Sequence, residues 1–236
     1  MKNNFISLVS HEFRTPLGAI LSASELLDDS YERMPLERRA TLLRMVKQEV
    51  WRLAMMMEDI LALGRLDSGT MTSNPKSITM KTFCQRVAGE IQMINPDRAP
   101  VVLEFQEGPE VVFMDEDLLH HVLSNLLTNA YKYSPNNTAV ELIIRGTNRH
   151  WSLVVKDHGI GIPNPDKAQI FSAFYRGSNV GKIKGTGVGL YILKKCVEIC
   201  QGSIRITNNV AGGTVFLIRF PWVKPPPAKE SKRLHG

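Results

Sequence analysis

Six apolar residues in the first third of the chain constrain its fold most. Leu43, Val46, Val50, Leu53, Met57 and Ile60 are separated by three, four, three, four and three positions. That alternation is the seam of a coiled coil, and it predicts a helix from about Leu36 to Leu66, with Gly64 and Gly69 bracketing its end. A second helical pattern precedes it, from about Lys2 to Asp29. The stretch "DDSYERMP" separates the two, and Pro35 reads as a first-turn residue. Two amphipathic helices on a short connection make an antiparallel hairpin. A lone hairpin cannot cover both apolar stripes, and each buried Leu or Met contributes ~1.5–3 kcal/mol. Pairing with a second copy into a symmetric four-helix bundle is the simplest solution.

After "LDSGTMTSNPKS" the periodicity changes. Short strand-like runs follow: "SITM", "VVLEF", "EVVFM", "AVELIIR", "WSLVVKD", "SIRITN" and "TVFLIRF". Helical patterns interrupt them at about Lys81–Ile94, Asp115–Tyr131 and Val188–Gln201. Strands mixed with helices in this way predict an α/β sandwich. The closing "PWVKPPPAKESKRLHG" reads as an unpacked tail. The expected division is therefore a helical hairpin over residues 1–68, an α/β domain over 69–222 and a Pro-rich, basic tail over 223–236.

Composition excludes several classes. The 236 residues suffice for two domains, and the net charge of +6 is spread out except in "KESKRLHG". Aromatic residues are sparse and not interleaved with Lys or Arg, so no nucleic-acid partner is expected. Three cysteines without a CxxC suggest neither a disulfide framework nor a zinc site, but buried thiols in a reducing compartment. No run of ~18 apolar residues and no signal peptide is present, so the chain is expected to be soluble and not to span a membrane. It begins within a turn of a strong amphipathic pattern, which suggests a piece of a longer protein.

Two regions carry chemistry. In the first helix, at ~100° per residue, Phe5, Val9, Phe13, Leu17, Ile20 and Leu27 share one arc. His11 points the opposite way, on a strip with Thr15, Gly18 and Ser22. His11 is thus on the wet face, as a functional group or a plain solvated side chain. Pro16 costs a helix interior ~3 kcal/mol or more, and a bend just after His11 is expected there.

The second domain carries four signals in order. "NLLTNAYKYS" ends a helix with Asn125 and Asn129 one turn apart and Lys132 beyond. The pair suits a ligand rich in oxygen, with Asn129 offering its carbonyl to a hard cation such as Mg²⁺ and Lys132 meeting phosphate. Either Asn alone reads better as a helix-capping amide. "VVKDHGIGIP" ends a strand in Asp157 and turns at Gly159 and Gly161. This lets backbone approach a flat ligand and Asp157 accept from an exocyclic amine, although a bare β-turn has the same look. "GKIKGTGVGLYI" puts Gly185, Gly187 and Gly189 before a helix, where amide groups favour anions. It does not follow a strand in a βαβ unit, which disfavours a dinucleotide fold. Between the last two lies "IFSAFYRG", and the residues from Pro163 to Gly185 are placed to form a lid.

In this order the pieces resemble the catalytic core of the sensor histidine kinases of two-component signalling. "SHEFRTPL" resembles the phospho-acceptor H box, "NLLTNAYKYS" the N box, "DHGIGIP" the G1 box, "IFSAFYR" the F box and "GTGVGL" the G2 box. "GGTVFLIRFP" is similar to the closing glycine–threonine strand. The likeness covers residues 1 to about 222. Phe13 stands where Leu is usual, and Ser172 and Ala173 replace the acid and proline common in the F box.

The resemblance implies a HisKA-type dimeric four-helix bundle followed by the Bergerat (GHKL) ATP-binding sandwich. His11 would take the γ-phosphoryl group of ATP, and Glu12 would hold the proton of its other ring nitrogen. Thr15 would align a water for dephosphorylating a partner. Asn129 would ligate Mg²⁺ with Asn125 in support. Lys132 would pair with phosphate and Tyr133 would pack on the adenosine. Asp157 would accept from the adenine amine over Gly159 and Gly161, and Thr214 would support that pocket. Gly185, Gly187 and Gly189 would wrap the phosphates. The implied partners are a second copy and the receiver domain of a response regulator, in the cytoplasm, with a parent protein free to be membrane-bound. The alternatives are a weak kinase that acts mainly as a phosphatase, and a non-kinase ATPase of the same superfamily.

Overall fold

The structure is a computed structural model that describes residues 2–181, 183 and 185–223. The basic tail from 224 onward lies outside the described residues.

Helix α1 (Lys2–Ser30) continues through Pro16, whose ring is buried. A 3₁₀ turn, Tyr31–Arg33, leads to α2 (Leu36–Asp67). Pro35 caps α2 from outside, its carbonyl accepting from the N–H groups of Arg38 and Arg39, so it is not the first-turn residue the sequence suggested. Gly69, at φ +66°, turns the chain after α2.

The two helices pack on each other but leave an apolar stripe uncovered. Leu36, Leu43, Val50 and Met57 recur every seven residues and are all exposed, as are Leu17, Leu21 and Leu61. The sequence put Leu17 on a packing arc. Within one chain the closest packing of α1 is instead at Pro16 and Ala23, and Leu17 faces out.

The second domain has two layers. Strands β2 (Val101–Gln106), β4 (Val140–Gly146), β5 (His150–Lys156), β6 (Ser203–Asn208) and β7 (Thr214–Pro221) form one sheet in the order β2-β4-β5-β7-β6. Only β2 and β4 run parallel. β1 (Lys76–Thr79) and β3 (Val111–Met114) pair apart from it as an antiparallel ribbon. Helices α3 (Met80–Ile94), α4 (Glu116–Tyr133) and α5 (Gly189–Ile199) form the other layer. Alternate strand residues, Leu142, Ile144, Leu153, Val155, Phe216 and Ile218, meet Leu119, Leu123, Leu127, Ile192 and Leu193 in one core. α5 ends at Ile199, two residues before the sequence pattern does, because Gln201 takes a left-handed conformation (φ 55°).

Trp151 stacks on Phe220 at 4.8 Å, closing the far end of the sheet. The chain stays attached one residue past β7, since the Trp222 indole donates to the carbonyl of Thr147 at 2.7 Å. Pro221 and Trp222 therefore belong to the packed domain, as the expected boundary at 222 has it. Cys84 and Cys196 are buried and Cys200 is half-buried, which is more open than expected, and none is in a disulfide. Among the described residues no helix is long and apolar enough to cross a membrane.

Candidate active site

α4 begins at an Asp115 cap, whose carboxylate accepts from the N–H of Leu118 at 3.0 Å. With its start fixed, its apolar face turns to the sheet and Asn125, Asn129, Lys132 and Tyr133 point into one cavity of about 750 Å³. That volume suits a nucleotide-sized ligand. The Asn129 amide donates to Asn125 Oδ1 at 2.8 Å, which leaves Asn129 Oδ1 as an acceptor. The Lys132 ammonium lies 4.9 Å from the centre of the Tyr133 ring. Burial lowers Lys132 to about 8, aided by the charges of Arg176 and Arg52 and opposed by Glu12.

The other end of the cavity is built by a strand pair. Asp157 follows β5 and Thr214 opens β7, and the N–H of Asp157 donates to the Thr214 carbonyl at 2.9 Å. Oδ1 of Asp157 accepts from the N–H groups of Gly159 at 2.9 Å and Thr214 at 3.0 Å. Asp157 is 6% exposed. Burial pushes its carboxyl above the usual carboxylate range, against the opposing pull of those two N–H groups. Oδ1 is therefore committed to the backbone, the Thr214 side chain also favours the charged carboxylate, and Oδ2 takes no backbone donor.

Gly159 packs against the Tyr133 carbonyl, and Gly161 turns at φ +69°. The glycine loop makes three close approaches. Gly185 lies against the Lys132 ammonium and Gly189 against the Asn125 amide, so a Cβ at either would push that side-chain tip aside. Gly187, at φ +71°, sits on the backbone of Phe174 and Tyr175, and its carbonyl accepts from the Phe174 N–H at 3.0 Å. The loop thus joins the helix carrying the asparagines to the segment that follows the G1 turn.

Sequence reasoning missed a brace in that segment. Asp166, buried, accepts from the Tyr175 hydroxyl at 2.9 Å and from the N–H and hydroxyl of Ser178 at 2.7 and 2.9 Å. Asn179 ties the segment to the G1 turn by donating to the carbonyls of Ile160 and Gly161. Gly213 was missed as well. It backs directly on Asp157 at φ +98°. The doubled glycine before Thr214 was the available signal.

The hairpin forms one wall of the same cavity. Trp51, Arg52, Met55, Met56 and Asp59 of α2 line it, and so does Glu12 of α1. Asp59 is pushed up to about 7, chiefly by burial and further by the charge of Glu58. Glu12 Oε2 accepts from Arg52 at 3.2 Å. His11 is exposed and does not line the cavity. Thr15, one turn on, donates its hydroxyl to the His11 carbonyl at 3.4 Å. The cavity therefore gathers Glu12, Asn125, Asn129, Lys132, Tyr133, Asp157, Gly161, Gly185, Gly187, Gly189 and Thr214, while His11, Thr15 and Gly159 lie outside its lining.

Among the described residues no cluster of three or more His, Cys, Asp or Glu is placed to hold a metal. The free carbonyl of Asn129 beside the Lys132 ammonium fits Mg²⁺, which commonly takes one or two protein oxygens and completes its shell with phosphate and water.

Residues 1–69 match the His Kinase A (phospho-acceptor) domain. Residues 114–224 match the family described as histidine kinase-, DNA gyrase B-, and HSP90-like ATPase. Sensor histidine kinase WalK of Bacillus subtilis (strain 168) is 30% identical over 227 residues, which is 94% of this chain and 37% of WalK. The signal transduction histidine-protein kinase/phosphatase MprB of Mycobacterium avium (strain 104) is 31% identical over 230 residues, 94% of this chain and 43% of MprB. The chain spans between 25% and 44% of the length of the first curated relatives it matches. Among solved structures, Acinetobacter baumannii histidine kinase AdeS shares the fold, with a TM-score of 0.61 at 21% identity over 91% of this chain and 98% of that one. The mycobacterial sensor histidine kinase MprB superposes with a TM-score of 0.55 at 25% identity, over 64% of this chain and 100% of that one. With a phospho-acceptor helix pair at its start and a GHKL-type nucleotide cavity behind it, the chain belongs to the sensor histidine kinases and comprises their catalytic core.

Proposed function

We propose that this chain phosphorylates its own His11 from ATP and passes the phosphoryl group to an aspartate in the receiver domain of a response regulator. The carrying observation is that Glu12, next to His11, lines the same cavity as Asn129, Lys132 and Asp157. In the division of labour, residues 1–68 dimerise and accept the phosphoryl group, and residues 69–222 bind ATP. The exposed seven-residue stripe on α2 supports the homodimer.

Asp157 Oδ2 accepts from the adenine amine, and Thr214 and Gly159 hold the carboxylate in place through Oδ1. Tyr133 lies beside the adenosine, and Gly161 makes room beneath the base. Lys132 neutralises phosphate, aided by the close approach of Gly185, Gly187 and Gly189. Asn129, steadied by Asn125, offers its carbonyl to Mg²⁺, which supplies charge neutralisation at the phosphates when bound. A ring nitrogen of His11 donates its lone pair to the γ-phosphorus. The bond to the bridging oxygen breaks, and ADP departs with that electron pair. Glu12 holds the proton on the other ring nitrogen and stabilises the cation that develops. On transfer to the regulator, the P–N bond breaks, a carboxylate oxygen of the aspartate forms the new P–O bond, and neutral imidazole is restored. The rate comes from positioning and charge, as in other phosphoryl transfers.

Thr15 serves the reverse function, removal of phosphate from the regulator, by holding a water. A reducing cytoplasmic setting fits the free cysteines.

Incubation with γ-labelled ATP and Mg²⁺ tests this reading. Acid-labile, base-stable label is expected, lost in His11→Gln while ATP affinity stays nearly unchanged. Label of comparable level in that variant refutes the assignment of His11.

A further inference from the structure

We propose that Arg52 is a γ-phosphate ligand held in reserve by Glu12, and that its exchange from Glu12 to the phosphate frees the Glu12 carboxylate for His11. This rests on the phosphotransfer reading above and extends it to a side chain of the hairpin.

Arg52 stands on the α2 wall of the nucleotide cavity, with its side chain 29% exposed. One of its nitrogens donates to Glu12 Oε2 at 3.2 Å, and another is 3.8 Å from Glu49 Oε2. That Glu49 oxygen is buried and makes no hydrogen bond. A guanidinium has five N–H donors in a fork suited to two-point contact with carboxylate or phosphate. Among the described residues Arg52 makes a single hydrogen bond, so most of that capacity is unused. One cation between two carboxylates leaves the cluster negative. Lys132 lines the same cavity and feels Arg176, Arg52 and Glu12. Arg52 is thus within electrostatic reach of the group assigned to phosphate, and its present partner is a single carboxylate oxygen.

A terminal phosphate offers three oxygens and about two negative charges, and a bidentate Arg–phosphate contact exceeds a one-point carboxylate contact. Phosphate arriving at Lys132 therefore competes with Glu12 for the guanidinium. No covalent bond changes in this exchange. It matters because Glu12 has opposing duties. Paired to Arg52 it makes no hydrogen bond to His11, and the transfer step requires it at the imidazole. The exchange links arrival of the γ-phosphate to release of the base. ADP lacks that phosphate and does not trigger it.

Calorimetry on the full chain with Mg²⁺ tests the exchange, using the β,γ-imido analogue of ATP and ADP. The readout is the ratio of the two affinities, in which effects common to both nucleotides cancel. Arg52→Gln is expected to lower the ratio by roughly tenfold or more, the worth of a charge-assisted contact, with ADP affinity within about twofold of the parent. Arg52→Lys is expected to fall between. Glu12→Gln leaves Arg52 only a neutral acceptor in place of a carboxylate and is expected to raise the ratio a few-fold, a gain that disappears in the double variant.

Equal weakening of both nucleotides in Arg52→Gln would mean a structural role and overturns the proposal, as does an unchanged ratio. If Arg52→Gln does not fold, judged by circular dichroism, Glu12→Gln carries the test alone, and an unchanged ratio there refutes it. The readout needs no phosphohistidine. Absent acid-labile label with a shifted ratio defeats the phosphotransfer reading and leaves the contact, and the converse result defeats the contact alone.

Discussion

Asp157→Asn tests the base pocket, and the geometry fixes what the new amide must do. Oδ1 of Asp157 accepts from two backbone N–H groups, those of Gly159 and Thr214. In the variant the amide oxygen has to keep that place, because an NH₂ group there would face two donors in a buried site. The NH₂ is thereby turned into the cavity, where the adenine amine also donates. A charge-assisted acceptor is replaced by a donor facing a donor, a loss of ~1.5–3 kcal/mol, or roughly ten- to hundredfold in ATP affinity. Guanine carries a carbonyl where adenine carries its amine, so the same NH₂ finds an acceptor there and the preference for ATP over GTP narrows. The fold is not expected to suffer. Burial raises the carboxyl of Asp157, so at neutral pH the charged form is the one the folded state disfavours, and a neutral amide removes that cost. Calorimetry with ATP and GTP, alongside thermal melting without nucleotide, reads all three effects. Unchanged ATP affinity removes Asp157 from the base pocket. A large fall in melting temperature with both nucleotides weakened alike means Asp157 is a structural acceptor only.

Val50→Glu with Met57→Glu puts four carboxylates into the α2 stripe of a dimer. Unpaired buried charges cost several kcal/mol, so light scattering at micromolar concentration is expected to find a dimer for the parent and a monomer for the variant. Lys132 is charged below about 8 and neutral above it, so ATP affinity of the free protein is expected to fall as pH rises through about 8, a trend Lys132→Met should abolish. Thr15→Ala is expected to impair dephosphorylation of a phosphorylated regulator more than autophosphorylation, because alanine is at least as good a helix former and leaves His11 and Glu12 in place. Equal loss of both activities refutes a water-holding role.

The layers of this fold were legible because periodicity reports them directly. The three-and-four spacing from Leu43 to Ile60 gives a helix, and short apolar runs such as "ELIIR" and "FLIRF" read as strands. The residues that line the cavity were legible for a second reason. They come as local clusters, with Asn125, Asn129 and Lys132 within two turns and Asp157 two residues before Gly159. What periodicity cannot report is which neighbour a polar face meets. Arg52 and Glu49 interrupt the α2 seam like ordinary solvated residues, yet both line the cavity. Asp166 is a lone acid in a short 3₁₀ helix, Asn164–Ala168, and its three donors come from residues nine and twelve positions on. Such roles depend on long-range packing that leaves no local pattern.

The phase of α1 carries a further consequence. Successive helical residues point ~100° apart, so a wall that presents Glu12 cannot also present His11. Either α1 turns about its axis or the ATP domain moves around the hairpin before transfer. The ties that oppose such movement differ along α2. In its first half, before Trp51 packs against the ATP domain's core, they are polar and partly open to water. Arg44 meets Asp97 at 3.0 Å with the two side chains 43% and 73% exposed, and the Gln48 amide donates to the Ile94 carbonyl at 2.7 Å. A surface ion pair of this kind contributes about 0–1 kcal/mol. Toward the end of α2 the ties are apolar. Ala62 is buried in the ATP domain's own core, and Leu63 and Leu66 pack against that core. The polar ties are the weaker ones, so a movement of the ATP domain toward His11 is expected to open them first and to pivot nearer the apolar end of α2. The Arg52–Glu12 pair belongs to the hairpin wall of the cavity, so a phosphate carried toward His11 approaches it.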